Sequence, residues 1–564
     1  MHVIEHTYRC LLADVSRISG FVEIRGSVYD LQWCLNEAPK LEKHILGCIE
    51  GSTSVDLSLF PIQLRRLASA SFSDAKMLRL LRQVLLFCYK AYVPHNNITV
   101  NETIKQFQVT NDQVRNVGNA FSKASPILLN SVRKHVQSVL YAMRDADFSP
   151  SHGPGASTTP KERWSKWYHS IECVWPVSDY YCLRSNREHV SQIPDLCSEE
   201  QIEAKLIAVP KDSRGPRLIC VHPAEAIWAQ QGLRRALERA IERVRHSWGP
   251  WPRGHIHFDD QTVNGRIALL SSKYRLYATL DMKEASDRLS ETLVQVLFGP
   301  YYRKFGCCRA QKYSFKVGAN APVMDDIHSY APMGNATTFP VQSLVFWAIC
   351  VASLQYHGFH KPDSVYVFGD DILVPTKMAQ FVIDDLESFG LVVNRSKSFW
   401  RSHFRESCGV DAFKGVNVTP VRWKCAPDVR NTSDLLSMSE LAKRLRLAGY
   451  DSAATELYEY VREYLGKRFK LQLFYSNNPD AGALTEYTNR DYLVWRDAYW
   501  HRDYQKFVSP TYELEYWCSE APVRDWNHVL ESLTSLERTG HSSVPDRSLS
   551  RVTRLKRGWT DIVR

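Results

Sequence analysis

The chain has 564 residues, past the size at which one hydrophobic core stops growing, so two to four structural lobes are expected. With 44% apolar, 12% aromatic and 23% charged residues, its composition excludes a disordered or fibrous protein. The 71 Lys and Arg against 61 Asp and Glu leave a net charge of +10, which suits a polyanionic partner but serves solubility as well.

The 14 cysteines form no CxxC pair and Cys307 adjoins Cys308, so they read as reduced thiols rather than a zinc framework or a disulfide scaffold. The opening MHVIEHTYRC lacks the basic and apolar regions of a signal peptide. The longest apolar run, Ser343 to Leu354, is shorter than a membrane span and reads as a buried helix. The expectation is a soluble chain with no membrane contact.

In chain order, residues 60 to 145 place apolar and basic positions at helical spacing and predict helices. Ser149 to Lys161 (SPSHGPGASTTPK) breaks that pattern with Gly, Pro, Ser and Thr and predicts a loop, either a linker or a template contact. From Lys205 short β-like runs (KLIAVP, PRLICVHP, YRLYATLDM) alternate with helical stretches, an α+β or α/β centre over roughly 200 to 425. Helical spacing returns after about Asp434, followed by a Tyr- and Trp-rich stretch. The tail from Ser542 carries Arg547, Arg551, Arg554, Lys556, Arg557 and Arg564 against Asp546 and Asp561; it reads as a mobile basic segment, either touching RNA or solvated.

The most informative stretch is SVYVFGDDILVP, residues 364 to 375. Two apolar β runs flank Gly369, Asp370 and Asp371, which is the signature of a hairpin with Gly at its turn. Adjacent carboxylates beside buried strands raise each other's pKa unless a cation balances them. An ordinary surface turn is the plain alternative for this tripeptide, but about ninety residues earlier Asp281 closes another apolar run. A carboxylate at one strand end and a pair on a neighbouring hairpin offer three hard oxygen ligands, suited to Mg²⁺. Two such ions about 4 Å apart stabilise the attacking and leaving oxygens of a phosphoryl displacement. Lys211, Arg214 and Arg217 sit three apart on a Gly/Pro-rich loop, where they would reach a triphosphate; a solvated basic loop is the alternative.

In order and spacing, PKDSRGPRLI, IHFDDQTVNGRIAL, TLDMKEASDRLS, APMGNATTFPVQSLVF, VFGDDILVP, GLVVNRSKSFW and FRESCGVDAFKGVNVTPVR resemble the palm motifs of viral RNA-dependent RNA polymerases. They are most similar to the replicase subunit of single-stranded RNA bacteriophages of the levivirus type. The resemblance runs from about Lys205 to Arg422. It implies an α+β right hand of fingers, palm and thumb, with an antiparallel palm sheet and flanking helices. The N-terminal region and fingers would take 1–270, the palm 271–425 with a fingers insertion at about 300–328, and the thumb and basic tail 426–564.

By the same resemblance Asp281 and Asp370 would ligate both Mg²⁺ ions, with Asp371 auxiliary. Lys211, Arg214 and Arg217 would grip the incoming triphosphate. Gly334, Asn335 and Thr338 would lie on the loop and helix start that position template and nucleotide, and Lys397 matches a lysine that protonates pyrophosphate. The chain departs from the common pattern at Met333, at Gln342 and at Ser286, where a second Asp is usual and Asp287 follows instead. Ser286, Asp287 and Asn335 are therefore all candidates for reading the ribose 2′-hydroxyl. The implied partners are RNA template and product, nucleoside triphosphates, the host elongation factors Tu and Ts and a host ribosomal protein, in the cytoplasm of an infected bacterium. A reverse transcriptase and a non-catalytic RNA-binding protein with a palm-like fold are the rival readings.

Overall fold

The computed structural model describes residues 2–27, 29–91, 97–116, 123–144, 146–152, 156–158, 201–212, 215–247, 256–316, 322–360, 364–424, 429, 432–517 and 552–563. Helices dominate the first of these stretches. His2–Ser19, Leu31–Asn36 and Ala38–Glu50 precede Ile62–Ser71, Ala75–Leu86, Asn97–Asn116 and Pro126–Met143, as the spacing over 60 to 145 predicts. Local chemistry sets these ends: the Asp74 carboxylate accepts the Lys76 N–H at 2.7 Å, and Pro126 stands in the first turn of its helix. The described part of the predicted loop, 149–152 and 156–158, is neither helix nor strand.

Three small sheets form the centre. The first contains β1 (Glu203–Asp212), β2 (Gly215–Val221), β4 (Lys312–Phe315) and β5 (Val323–Asp326), in the order β2-β1-β4-β5. This corrects the sequence reading of 211–217 as a loop: Lys211 is the penultimate residue of β1 and Arg217 lies on β2 opposite Val209. The two prolines that suggested a loop, Pro210 and Pro216, sit near the hairpin tip, where the register shifts between Val209 and Asp212 and few ladder donors are lost. The second sheet is β3 (Tyr277–Asp281), β7 (Asp371–Pro375) and β6 (Tyr366–Phe368), antiparallel throughout. The third joins β8 (Phe404–Ser407), β9 (Val410–Phe413) and β10 (Val416–Asn417).

The apolar run Ser343 to Leu354 turns out to be the middle of a longer helix, Thr338–Tyr356. That helix is long and apolar enough to cross a bilayer, yet 89% of its apolar window is buried inside the fold. Protein rather than lipid covers it. Around it lies an inner core that includes Val136, Leu233, Leu344, Ile349, Ile372 and Val382. A second, outer core joins the N-terminal helices to Thr432–Leu447 and Asp451–Phe469 through Leu11, Leu81, Phe404, Trp423, Leu441 and Leu457.

The C-terminal segment differs from expectation. Val552–Asp561 is a strand, paired antiparallel with Lys506–Trp517 from Trp517↔Val552 to Val508↔Asp561. Lys556 and Arg554 stand opposite Glu513 and Glu515 in the ladder, and Lys556 Nζ lies 3.2 Å from Glu515 Oε1, a reason for pairing that a count of charges along the tail does not reveal. Arg547, Arg551 and Arg564 lie outside the described residues.

Candidate active site

Asp370 owes its position to a two-residue turn. Phe368 pairs with Asp371, leaving Gly369 and Asp370 as the tip, and Gly369 takes φ 65°. A side chain there would also collide, since a Cβ would stand 2.5 Å from the Phe339 ring. The Gly369 N–H donates to Ser343 Oγ at 3.2 Å, and the Phe339 ring meets Phe368 edge-on at 5.2 Å, so the buried helix braces the hairpin from beneath. On the other side β3 runs alongside β7 in a register that sets Asp281 directly opposite Asp371. Asp281 and, ninety residues on, Asp370 and Asp371 thus share one sheet end.

Burial pushes Asp371 up to about 6, the Asp370 charge adds to the rise, and the Cys408 N–H opposes it. Asp281 is also raised by burial, with Lys397 the largest opposing charge, Asp370 acting with burial, and Lys211 opposing. Like charges facing each other across a strand pair are unfavourable without a cation. Among the described residues no three His, Cys, Asp or Glu side chains stand in a preassembled metal cage. Magnesium, however, is ordinarily held by one or two carboxylates together with waters and substrate phosphates. The donors here are all carboxylate oxygens on neighbouring backbone positions, and they fit an ion held in that way.

Segments downstream fix the two half-buried acids, Asp281 and Asp371. Asn394 donates its backbone N–H to the Asp281 carbonyl at 2.8 Å and its Nδ2 to Asp281 Oδ2 at 2.7 Å. Asp281 donates its own N–H to Ser398 Oγ at 3.0 Å. Between them Lys397 lies exposed on the turn that Asn394 opens, its N–H bonded to the Asn394 carbonyl at 2.9 Å. The Cys408 N–H donates to Asp371 Oδ2 at 3.1 Å, and Asn264 Nδ2 reaches the Asp371 carbonyl at 3.4 Å. The sequence reading missed Asn394, Ser398 and Cys408 as site residues. Two of the motif segments contain them, but only the packing of those segments on β3 and β7 shows what they touch.

Of the basic trio, Lys211 is exposed at the end of β1 and its charge acts on Asp281. Arg217 is exposed on β2, and Arg214 lies outside the described residues. Ser286 and Asp287 occupy a short helix, Ala285–Arg288, where Ser286 Oγ donates to Asp287 Oδ1 at 3.1 Å and burial pushes Asp287 up to about 6. Gly334 approaches the same region: at φ 122° its Cβ would stand 2.1 Å from the Cys220 carbonyl, and the Cys220 N–H donates to the Met333 carbonyl at 2.8 Å. Burial raises the Cys220 thiol, and the Asp287 charge adds to the rise. Asn335 Oδ1 accepts from the Thr337 N–H and hydroxyl at 2.8 Å each. Thr338 Oγ1 donates to the Ala331 and Pro332 carbonyls at 3.2 Å. Asn335 Nδ2 and Gln342 Oε1 are buried without hydrogen-bond partners among the described residues, a state that calls for a ligand or a water.

A family model described as RNA replicase, beta-chain matches residues 93–523. The chain belongs to the RNA replicase beta-chain family. Similar proteins include the RNA-directed RNA polymerase beta chain of Enterobacteria phage fr, 31% identical over 241 residues, which cover 43% of this chain and 40% of that protein. The RNA-directed RNA polymerase subunit beta of Qbeta virus (strain MX1) is 32% identical over 216 residues, 38% of this chain and 34% of that protein. The matched part of this replicase chain therefore spans less than half the length of these relatives. Among solved structures, the RNA-dependent RNA polymerase of a human picorbirnavirus is similar with a TM-score of 0.42 and 12% identity, over 77% of this chain and 82% of that one.

Proposed function

We propose that this replicase beta-chain is an RNA-directed RNA polymerase that copies a single-stranded RNA phage genome by joining nucleoside triphosphates along an RNA template. The observation that carries the reading is the cross-strand pair Asp281↔Asp371 with Asp370 at the adjoining tip, in a chain of this family. Asp281 and Asp370 would hold two Mg²⁺ ions, with Asp371 as auxiliary ligand. Bound there, the ions would supply charge neutralisation at the triphosphate and favour the ionised form of the attacking 3′-hydroxyl.

The protein's own part is positioning and charge. Lys211 grips the triphosphate, with Arg217 of the same hairpin and also Arg214 supporting it. Lys397, held near Asp281 by its Asn394 turn, delivers a proton to the departing pyrophosphate. Ser286, Asp287 and Asn335 surround the ribose, and the orphaned Asn335 Nδ2 takes a nucleotide oxygen as partner. Gly334 and Thr338 hold the loop that presents Asn335.

In this reading residues 1–270 supply the N-terminal region and fingers, 271–425 the palm with a fingers insertion at about 300–328, and 426–564 the thumb. The resemblance to phage replicases extends the proposal to a bacterial cytoplasm and to the host elongation factors Tu and Ts and a ribosomal protein as partners.

The test is templated synthesis with Mg²⁺ by the chain purified from bacteria together with whatever accompanies it. Ribonucleotides should be incorporated and deoxyribonucleotides should not; the reverse preference makes it a reverse transcriptase. Asp370→Asn should lower synthesis by at least about 10³-fold, the scale of losing a main electrostatic contribution to the transition state, with an unchanged circular dichroism spectrum. Incorporation by this variant at near the parental rate would overturn the assignment. RNA binding indifferent to Mg²⁺, without any incorporation, would favour a binding protein.

A further inference from the structure

Ala285–Arg288, the helix that carries Ser286 and Asp287, is four residues long. A single turn does not hold itself in water, because the cost of fixing its backbone is not offset by further hydrogen bonds, so its neighbours must hold it. Glu284, just before it, adds to that demand with φ 51°, a left-handed backbone that a residue with a Cβ keeps only where its surroundings impose it. The neighbour is the helix Asn97–Asn116. Its Gln106, Thr110 and Gln113 are spaced four and three apart and so share one face. Thr110 Oγ1 donates to Glu284 Oε2 at 3.0 Å, and Gln106 Nε2 lies 3.4 Å from Glu284 Oε1. Arg288 closes the clasp, with Nε donating to Glu284 Oε2 at 2.9 Å and Nη2 to Gln113 Oε1 at 3.0 Å.

Glu284 works through its backbone as well, since its carbonyl accepts the Asp287 and Arg288 N–H groups at 2.9 Å each. Beside Thr110, buried Asn111 donates Nδ2 to the Asp326 carbonyl at 2.7 Å and accepts the His328 N–H at 2.9 Å. Toward its N-terminus the same long helix lies against the β1–β2 hairpin, where a Cβ on Gly215 would stand 3.4 Å from Thr103 Oγ1. It therefore touches both the hairpin of Lys211 and the turn of Ser286 and Asp287. We propose that Thr110 and Glu284 are positioning residues for nucleotide selection: through them the helix Asn97–Asn116 sets the Ser286–Asp287 turn at a fixed spacing from the Lys211 hairpin. The inference rests on the polymerase reading for what those two segments grip, triphosphate and ribose, but not for the clasp between the helices. Asp281 and Asp371 are held by other groups, Asn394, Ser398 and the Cys408 N–H, so loosening the clasp acts on nucleotide binding and leaves the metal ligands in place.

The experiment compares Thr110→Val, which keeps the branched shape and loses the hydroxyl, with Thr110→Ser, which keeps the hydroxyl. Glu284→Gly is the second probe: it removes the carboxylate and relieves the left-handed backbone, so it folds even if Val at the buried position does not. Amide hydrogen exchange of the full chain without nucleotide or metal, read by mass spectrometry, should quicken about fivefold or more at Ala285–Arg288 in Thr110→Val and in Glu284→Gly, the weight of one hydrogen bond to a charged group. Thr110→Ser should stay within about twofold of the parent on the same scale. In templated synthesis the nucleotide KM should rise by about the same factor and the preference for ribonucleotides should fall, while kcat at saturating nucleotide and the Mg²⁺ requirement hold, as for a loss of binding alone. Exchange unmoved in both Thr110→Val and Glu284→Gly would overturn the clasp. Quickened exchange with an unmoved KM and ribose preference would leave it a structural contact and overturn its part in selection. A parent chain that makes no RNA defeats the polymerase reading, and selection with it, whereas the exchange measurement needs no synthesis and judges the clasp separately.

Discussion

The Arg82 cluster of the outer core and the acids beside the inner core differ in the countercharge they are given. In the outer core Arg82 is buried and its guanidinium meets Glu42 and Asp411 at 2.9 Å each, with the Val418 carbonyl at 3.1 Å. These ion pairs raise Arg82 against the opposing pull of burial. Beside the inner core Asp281, Asp371 and Asp287 are all raised, with burial as the first cause. Neutralised acids join distant chain segments; acids left without a full countercharge are available for a cation or a substrate. Arg309 shows that the inner core does pair its groups where nothing else is required of them, donating to the Tyr330, Ile327 and Ser329 carbonyls and meeting Glu291 at 2.8 Å.

The largest effect that would sharpen this contrast comes from removing the outer lock. Arg82→Leu leaves Glu42 buried without its cation and Asp411 with Arg422 alone, 3.5 Å away, and breaking a buried pair in this way ordinarily costs about 3–5 kcal/mol. Urea unfolding should show that loss, and restoring a shape-matched apolar set at all three positions should recover most of it. A loss below about 1 kcal/mol would mean that the ion cluster does not hold the N-terminal helices to β9.

In the inner region the corresponding change should spare stability and strike activity. Asn394→Ala removes the donor on Asp281 Oδ2 while leaving the backbone bond, so synthesis should fall by about 10- to 100-fold with unfolding shifted by no more than about 1 kcal/mol. An Asn394→Ala chain that synthesises RNA within twofold of the parent would show that the Lys397 turn does not control Asp281, and the contrast between the two regions would lose its functional half.

The sequence revealed the pieces of this arrangement better than their assembly. Apolar β runs ending in Asp281 and flanking Gly369 were legible because a continuous apolar run and a turn glycine are local signals. That Asp281 faces Asp371 depends on register, which local pattern does not encode across ninety residues. Asn394 and Cys408 were invisible as site residues for the same reason, since each acts on an acid in a distant strand. Prolines hid the strand character of Lys211 and Arg217. At Val552–Asp561 the apolar positions Leu555 and Trp559 were outweighed by the arginines around them. The union of residues 4–91 with 399–512 in one core had no local signature at all.

The smallest effect tests the unpaired acids through pH. Asp287 in the fold is pushed from 3.8 up to about 6, so between those values the folded chain keeps a proton that the unfolded chain has lost. Stability therefore falls as pH rises through this window and is level above it. Asp287→Asn cannot ionise, and its amide oxygen can still accept from Ser286. Relative to the parent it should be little changed near pH 4 and more stable at pH 8 by about 1–3 kcal/mol, the size of a two-unit shift discounted for partial exposure. Other raised acids, Asp371 among them, are common to both proteins and cancel in the difference. If denaturant unfolding gives the same difference at both pH values, Asp287 is already balanced by a cation in the folded chain, and it belongs with the paired acids of the outer core.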